Sequence, residues 1–225
     1  MSSSLLHGER TLSKDIMKTL LTYGDSNTWG LIPGSAPHRR FPFESRWTGI
    51  LQSLTDDVRI VEEGLCGRTT VFEDAIRPGR NGLRSLPLIL ESNSPIDALV
   101  LMLGTNDCKA LYGASSHIIG RGIELCLDEI TKYVDPAKIL LVSPIHLGDE
   151  VWLPEKDPEF NTKSIEISKE LKDVYGRIAS KRGIAFLAAS DIAVASKVDD
   201  EHLDEAGHLL LAKAIHSKLI EAGII

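Results

Sequence analysis

The stretch Thr19-Leu20-Leu21-Thr22-Tyr23-Gly24-Asp25-Ser26-Asn27-Thr28-Trp29-Gly30 joins an apolar run to a short polar segment through a glycine. The apolar run is typical of a buried strand, and the polar residues behind it predict a turn that opens a helix. A serine at such a junction lies at the rim of a sheet, where the first N–H groups of the helix are free to bind. Ser26 is therefore the first candidate for a reactive residue.

The same order of strand and helix repeats along the chain. Short apolar runs alternate with longer segments of helical period, which is typical of βαβ units and a parallel sheet. Most strand candidates are nearly continuous runs of Val, Ile, Leu and Ala, as expected when helices cover both faces of the sheet. The more polar run at 59–63 is expected at a sheet edge. The predicted strands lie at 19–23, 59–63, 98–103, 139–143 and 184–188.

The predicted helices lie at 44–54, 83–91, 116–133, 162–181 and 205–222. The last one has clear ends, because Asp204 can cap its first turn and Gly223 can close it. Its predicted apolar face consists of Leu209, Leu210, Ala212, Ala214, Ile215 and Leu219. Two long irregular segments, 31–45 and 144–161, follow strand ends, where loops line the ligand crevice of an open α/β sheet.

Size and charge exclude several classes of protein. The 225 residues suffice for one domain with a substantial core. A net charge of −7, without a basic block that could neutralise phosphates, argues against a nucleic-acid partner. An odd number of cysteines in apolar context indicates reduced thiols of a cytoplasmic protein rather than a disulfide framework. The cysteines are Cys66, Cys108 and Cys126.

Neither a membrane span nor a second domain is expected. No apolar run approaches the roughly 20 residues of a spanning helix. Residues 1–16 are polar and lack the apolar core of a secretory signal. We interpret 1–16 as a flexible N-terminal extension, with Met17 as an alternative start, and 17–225 as a single domain.

Partners for a reactive serine occur downstream. The spacing Asp199-x-x-His202 lets the carboxylate turn back onto Nδ1 of the imidazole, which leaves Nε2 to face Ser26. Such a base activates a serine hydroxyl, and the resulting oxyanion needs donors aimed at it. The backbone N–H groups of Ser26 and Gly67 and the amide of Asn106 are the candidate donors. Each residue has a plainer interpretation, as a helix cap, a turn residue or part of a solvated acidic loop.

Three further residues are candidates for contacting a substrate. They are Asp25, Trp29 and Trp152. The two tryptophans could wall an acyl or aryl pocket, and packing in the core is the alternative for both.

Four blocks of this sequence, in order, resemble those of the SGNH (GDSL-type) hydrolases. The blocks are Gly24-Asp25-Ser26, Gly67, Gly104-Thr105-Asn106-Asp107 and Asp199-x-x-His202. Segments such as Arg46-Trp47-Thr48-Gly49 and Arg68-Thr69-Thr70 are similar to the small bacterial arylesterase and acyltransferase branch. The resemblance covers about 18–222 and implies a flavodoxin-like, three-layer α/β/α sandwich around a five-stranded parallel sheet.

The resemblance also implies roles for individual residues. Ser26 would be the nucleophile, His202 and Asp199 would complete the triad, and Ser26, Gly67 and Asn106 would form the oxyanion hole. Asn27 stands where the family often has leucine, which predicts a more polar wall beside the nucleophile. Members of this branch are often oligomers whose loops narrow the site entrance.

These observations predict a serine esterase that hydrolyses small short-acyl esters through an acyl-enzyme. No cofactor is expected, since the phosphate-binding glycine motifs are missing, and His202 and His208 lack a zinc-ligand spacing. The substrate stays open between an aryl ester and an acetylated sugar, as does acyl transfer to an alcohol, and a non-catalytic binding module is the alternative class. The apolar segment 144–161 predicts a loop that covers either its own crevice or a neighbouring subunit of a homo-oligomer.

Overall fold

A computed structural model describes residues 17–225, and the predicted extension 1–16 lies outside them. Within the described residues, five strands form one parallel sheet in the order β2-β1-β3-β4-β5. The strands are β1 (Lys18–Gly24), β2 (Val58–Gly64), β3 (Ala98–Met102), β4 (Ile139–Ser143) and β5 (Ala185–Ala188). All five were predicted to within two residues, and the polar β2 lies at the sheet edge as expected.

Helices cover both faces of the sheet. They are α1 (Ser26–Trp29), α2 (Trp47–Ser53), α3 (Gly82–Asn93), α4 (Ser116–Ile130), α5 (Thr162–Arg182) and α6 (Glu205–Glu221). The predicted helix 44–54 is divided, because the extended backbone of Arg46 separates α2 from a short 3-10 turn before it. The three-layer α/β/α sandwich is therefore confirmed.

Alternate side chains of the strands feed two separate cores. In β3, Leu99 and Leu101 join the core that contains α3, α4 and α5. Val100 and Met102 point to the opposite face and join the core with α2 and α6. Burial on both faces explains why the strand reads as a continuous apolar run.

The predicted apolar face of α6 needs a correction. Leu209 and Leu210 are 41% and 50% exposed, whereas the neighbouring Leu211 is fully buried. The buried positions follow the three- and four-residue spacing of one helix face. They are Gly207, His208, Leu211, Ala212, Ile215 and Leu219.

The apolar loop 144–161 packs onto its own chain. Leu147, Val151 and Phe160 are buried in the core beneath α3, α4 and α5, and Ile145 joins the opposite core. Trp152 is exposed. The apolar content of this loop thus stabilises the chain's own fold and requires no neighbouring subunit. Among the helices of residues 17–225, none is long and apolar enough to cross a bilayer.

Candidate active site

The polar clusters meet where the strand order of the sheet reverses. The chain runs from β1 outward to β2 and then returns to β3 on the other side of β1. Ser26 follows β1, and Asn106 lies four residues after the end of β3. Ligands of open α/β sheets bind at such a switch point, beyond the carboxyl ends of the strands.

Ser26 is held by a single helical turn. Asp25 precedes it as the N-cap, and its Oδ1 accepts a hydrogen bond from the N–H of Asn27 at 3.0 Å. Gly30 ends the turn with a φ of 84°, a left-handed conformation that glycine adopts without strain. The short turn places Ser26 at the sheet rim.

Ser26, His202 and Asp199 form a continuous hydrogen-bonded chain. The Nε2 of His202 lies 2.9 Å from Ser26 Oγ, and its Nδ1 lies 2.8 Å from Asp199 Oδ2. Asp199 Oδ1 also accepts the backbone N–H of His202 at 3.0 Å. Because Asp199 accepts from Nδ1, the ring presents Nε2 to the serine, which is the arrangement a general base requires.

The loop that carries His202 is tied to two other parts of the chain. Asn27 Oδ1 accepts the N–H of Leu203 at 2.9 Å, and Asn27 Nδ2 donates to the carbonyl of Glu201 at 3.3 Å. Asp200 is 1% exposed and binds Lys156 Nζ at 2.8 Å. Asn27 therefore ties α1 to the histidine loop and does not line the cavity, which corrects the predicted polar wall beside the nucleophile.

The candidate oxyanion donors lie on two adjoining turns. Gly67 has a φ of 82° and lines the same cavity as Ser26 and Asn106. Asn106 donates one amide hydrogen to the carbonyl of Arg68 at 3.1 Å, and its second amide hydrogen remains for a ligand. Asp107 accepts the N–H of Thr70 at 3.0 Å, which joins the two turns.

Charges around His202 favour its protonated form. Burial alone lowers the pKa of an imidazole, but the Glu201 charge and the hydrogen bond to Asp199 outweigh burial and raise the pKa of His202 to about 9. Burial also raises the pKa of Asp199, yet its bonds to His202 hold this pKa below the usual range. Burial raises the pKa of Glu201 to about 7.

The three candidate catalytic side chains open into a cavity of about 540 Å³. Its apolar lining consists of Leu31, Ala36, Pro37, Cys66 and Val198. Much of the remaining wall is charged and includes Arg77, Lys109, Glu155, Lys156, Asp157, Glu159 and Glu201. Parts of both predicted loops, 31–45 and 144–161, thus contribute to the cavity. Within residues 17–225, no group of three His, Cys, Asp or Glu side chains is arranged to hold a metal ion.

The three substrate-contact candidates lie outside this lining. Asp25 is buried behind Ser26, and burial raises its pKa to about 6. Trp29 lies under the guanidinium of Arg40, with 5.3 Å between the guanidinium carbon and the ring centre. Trp152 donates its indole N–H to the carbonyl of Asp149 at 3.2 Å. Neither tryptophan therefore walls the cavity, whose lining consists of apolar, polar and charged residues instead.

Sequence reasoning missed Glu201 and Lys109. In the sequence, Glu201 belongs only to the alternative interpretation of this segment as a solvated acidic loop, yet it is 5% exposed and its Oε1 lies 3.6 Å from Nε2 of His202. Lys109 is buried and pairs with Glu159 across the cavity wall. The position of Glu201 directly before His202 was the available signal, but its burial depends on contacts with distant segments.

Comparisons with known proteins identify the family of this chain. Residues 22–212 match the GDSL-like lipase/acylhydrolase family. The native aryl esterase of M. smegmatis has a TM-score of 0.83 and 33% identity, over 91% of this chain and 99% of that one. Est24, a carbohydrate acetylesterase from Sinorhizobium meliloti, has a TM-score of 0.82 and 33% identity over the same shares. A search of curated protein sequences gave no match.

Proposed function

The chain belongs to the GDSL-like lipase/acylhydrolase family and is a carboxylic ester hydrolase, and we propose that it cleaves small, short-acyl esters through an acyl-enzyme on Ser26. The observation that carries the proposal is the hydrogen-bonded chain from Ser26 through His202 to Asp199, open to one cavity. The match to the family also confirms the resemblance seen in the sequence.

Acylation begins at Ser26. Its Oγ attacks the ester carbonyl carbon while Nε2 of His202 removes the hydroxyl proton. The carbonyl oxygen becomes an oxyanion, which accepts hydrogen bonds from the N–H groups of Ser26 and Gly67 and the amide of Asn106. The tetrahedral intermediate then collapses, the alkoxy leaving group takes the proton from Nε2, and the acyl group stays on Ser26.

Deacylation repeats these steps with water as the nucleophile. Neutral His202 removes a proton from water, whose oxygen attacks the acyl carbon, and the same donors hold the second oxyanion. Collapse releases the carboxylic acid and returns the proton to Ser26 Oγ. An alcohol in the position of the water would give a new ester by the same route.

The cavity lining supports a short acyl group. A buried methylene contributes about 0.8 kcal/mol only where apolar surface receives it. The apolar lining here is limited to five side chains, and the charged wall beyond them loses water if an alkyl chain covers it. Acetyl and similar groups avoid that loss.

The charged wall favours a second candidate, an acetylated carbohydrate as the substrate. Carboxylates and ammonium groups bind hydroxyl groups through charge-assisted hydrogen bonds. Lys156, Asp157 and Glu159 lie together on the cavity wall and could receive the hydroxyls of a sugar leaving group. A comparison of acetylated saccharides with phenyl acetate tests this candidate, which requires a higher kcat/KM for the saccharides.

The nucleophile is tested by Ser26→Ala, with Ser53→Ala on the exposed side of α2 as the control. Loss of the nucleophile lowers turnover of nitrophenyl acetate by several orders of magnitude. The control variant keeps wild-type turnover. An organophosphonate adds one mass equivalent to the wild type and none to Ser26→Ala. Wild-type turnover by Ser26→Ala would refute the proposal.

An initial burst of nitrophenol separates an acyl-enzyme from a non-catalytic binding module. A binding module gives no burst, whereas an acylated serine gives up to one equivalent before steady state. If turnover is steady but no burst appears, the acyl-enzyme is sought by mass spectrometry under single-turnover conditions.

A further inference from the structure

The Gly67 donor belongs to a four-residue turn whose middle peptide could face either way. The N–H of Arg68 donates to the carbonyl of Leu65 at 3.0 Å, which closes a turn over Leu65, Cys66, Gly67 and Arg68. Gly67 has a φ of 82°, and Cys66 is not among the residues with positive φ. This combination defines a type II turn. Rotation of the middle peptide to the type I form would reverse its carbonyl and its N–H.

The middle peptide carries the carbonyl of Cys66 and the N–H of Gly67. In a planar trans peptide these two groups point in opposite directions. The orientation of the Cys66 carbonyl therefore decides whether the Gly67 N–H faces the cavity. If the peptide rotated to the type I form, the carbonyl oxygen would take the place of the donor and would repel an oxyanion.

Two guanidinium groups hold that carbonyl. Arg80 Nε donates to the Cys66 oxygen at 2.9 Å, and Arg77 Nη2 donates to the same oxygen at 3.3 Å. Both side chains also pack over Gly67, where an added Cβ would lie 3.1 Å from Arg77 Nη1. Among the described residues, neither guanidinium lies within ion-pair distance of a carboxylate, and Arg80 Nη1 donates to the carbonyl of Pro78 at 3.0 Å.

The backbone around these arginines is fixed independently of their guanidinium groups. The carbonyl of Arg80 accepts the N–H of Thr69 at 2.9 Å. The N–H of Arg80 donates to Glu73 Oε1 at 3.2 Å, and that of Arg77 donates to Asp74 Oδ1 at 3.0 Å. Removing either side chain therefore leaves the loop anchored.

We propose that Arg77 and Arg80 are positioning residues that hold the Cys66–Gly67 peptide with the Gly67 N–H toward the oxyanion. Their positive charge also draws electron density to the Cys66 oxygen, which makes the N–H of the same peptide a stronger donor. The inference rests on the proposed function, since it assigns Arg77 and Arg80 a part in the oxyanion hole of that site.

The test measures Arg77→Ala, Arg80→Ala and the double variant. Arg84→Ala is the control, because the exposed Arg84 guanidinium pairs with Glu73 at 3.9 Å and not with the Cys66 carbonyl. Because removal of a whole oxyanion donor lowers kcat by about 100- to 1,000-fold, we expect roughly a ten- to hundredfold loss in the double variant. KM for nitrophenyl acetate stays within about twofold, since the oxyanion exists only beyond the ground state. Arg84→Ala keeps wild-type kinetics.

Two further readouts separate positioning from a structural role. Phenylboronic acid forms a tetrahedral adduct with a serine hydroxyl, so its affinity should fall in parallel with kcat. Added methylguanidine should restore part of the kcat of Arg80→Ala, whereas sodium chloride at equal ionic strength should not.

Three results would overturn the inference: unchanged kcat in the double variant, a rise of KM at constant kcat, or a loss of kcat with unchanged boronate affinity. If Ser26→Ala abolishes hydrolysis while the arginine variants behave as the wild type, only this inference fails. Wild-type hydrolysis by Ser26→Ala would instead remove the proposed function and this inference together.

Discussion

At the scale of single residues, the carboxylate of Glu201 gives His202 a second acidic neighbour. Asp199 binds Nδ1, and Glu201 lies 3.6 Å from Nε2, the nitrogen that exchanges the proton with Ser26 in the proposed mechanism. A negative charge on this side stabilises imidazolium during the reaction. It also keeps the resting histidine protonated to a higher pH, which removes the free base. On the cavity side, the negative charge of Asp157 raises the pKa of Glu201 and the positive charge of Lys109 lowers it.

We predict that hydrolysis rises with pH through one ionisation above the usual histidine range. The pKa of His202 is raised to about 9, and only the neutral ring accepts a proton. Glu201→Gln removes the nearby charge and so destabilises imidazolium, and the midpoint of the kcat/KM profile should shift to lower pH. The measurement is a pH–rate profile with nitrophenyl acetate.

Glu205→Gln provides the matched control for this profile, because it makes the same change of charge at an exposed position in the first turn of α6. Its midpoint should coincide with that of the wild type. Identical profiles for Glu201→Gln and the wild type would show that Glu201 does not act on the histidine.

In the proposed oxyanion hole, Asn106 is the donor that a side-chain truncation deletes. Asn106→Ala should lower kcat by roughly 100- to 1,000-fold with little change in KM, because its amide binds most tightly when charge develops on oxygen. Steady-state kinetics measure both constants, and Asn93→Ala at the end of α3 serves as the control. A higher KM with unchanged kcat would make Asn106 a ground-state binding residue.

At the scale of elements, Asn27 joins α1 to the loop before α6. It forms two hydrogen bonds to backbone groups that lie more than 170 residues away in sequence, and it is buried. This amide therefore helps to fix the His202 loop relative to the helix that carries Ser26. The αL backbone of Asp200, with a φ of 56°, and its bond to Lys156 hold the other end of this loop.

We predict that Asn27→Leu destabilises the protein by about 1–3 kcal/mol, although the leucine side chain is nearly the same size as that of asparagine. The change leaves the buried Leu203 N–H and Glu201 carbonyl without partners, and each unpaired group costs about 1–3 kcal/mol before the gain from the apolar side chain. Urea denaturation measures the loss, with Asn93→Leu as control. Equal stability of Asn27→Leu and the wild type would mean that water or a shifted loop satisfies both groups.

At the scale of the whole molecule, the two rim loops form one wall of the cavity while the segment 144–161 also fills the core. Packing into the core of the same chain accounts for the apolar residues of this loop. The homo-oligomer therefore remains a prediction from family resemblance alone. Light scattering decides it, and a single species of monomer mass would contradict it.

The charged cavity predicts a steep preference for short acyl chains. Across nitrophenyl esters from acetate to decanoate, kcat/KM should fall by roughly tenfold or more, because longer acyl chains extend past the few apolar side chains onto the charged wall. The series is measured below the solubility limit of each ester. Equal or rising kcat/KM along it would require an apolar channel that the lining does not contain.

The sequence by itself determined the strands, the helices and the candidate triad, for a local reason. The spacing of apolar residues identifies a strand or a helix within a stretch of about ten residues. Parallel strands then bring their carboxyl ends to one edge of the sheet. The sequence alone therefore predicted that Ser26 and Asn106 lie close together. His202 joined them through its spacing to Asp199.

Only the tertiary structure decided which side chains complete the site. Glu201 is buried beside Nε2 of His202, Arg77 and Arg80 reach the Cys66 carbonyl, and Trp152 lies outside the cavity. Each of these positions depends on how separate segments pack, so no local pattern carries the information. Burial also changes the charge that a side chain bears, which makes the chemistry of Glu201 and His202 a property of the folded chain.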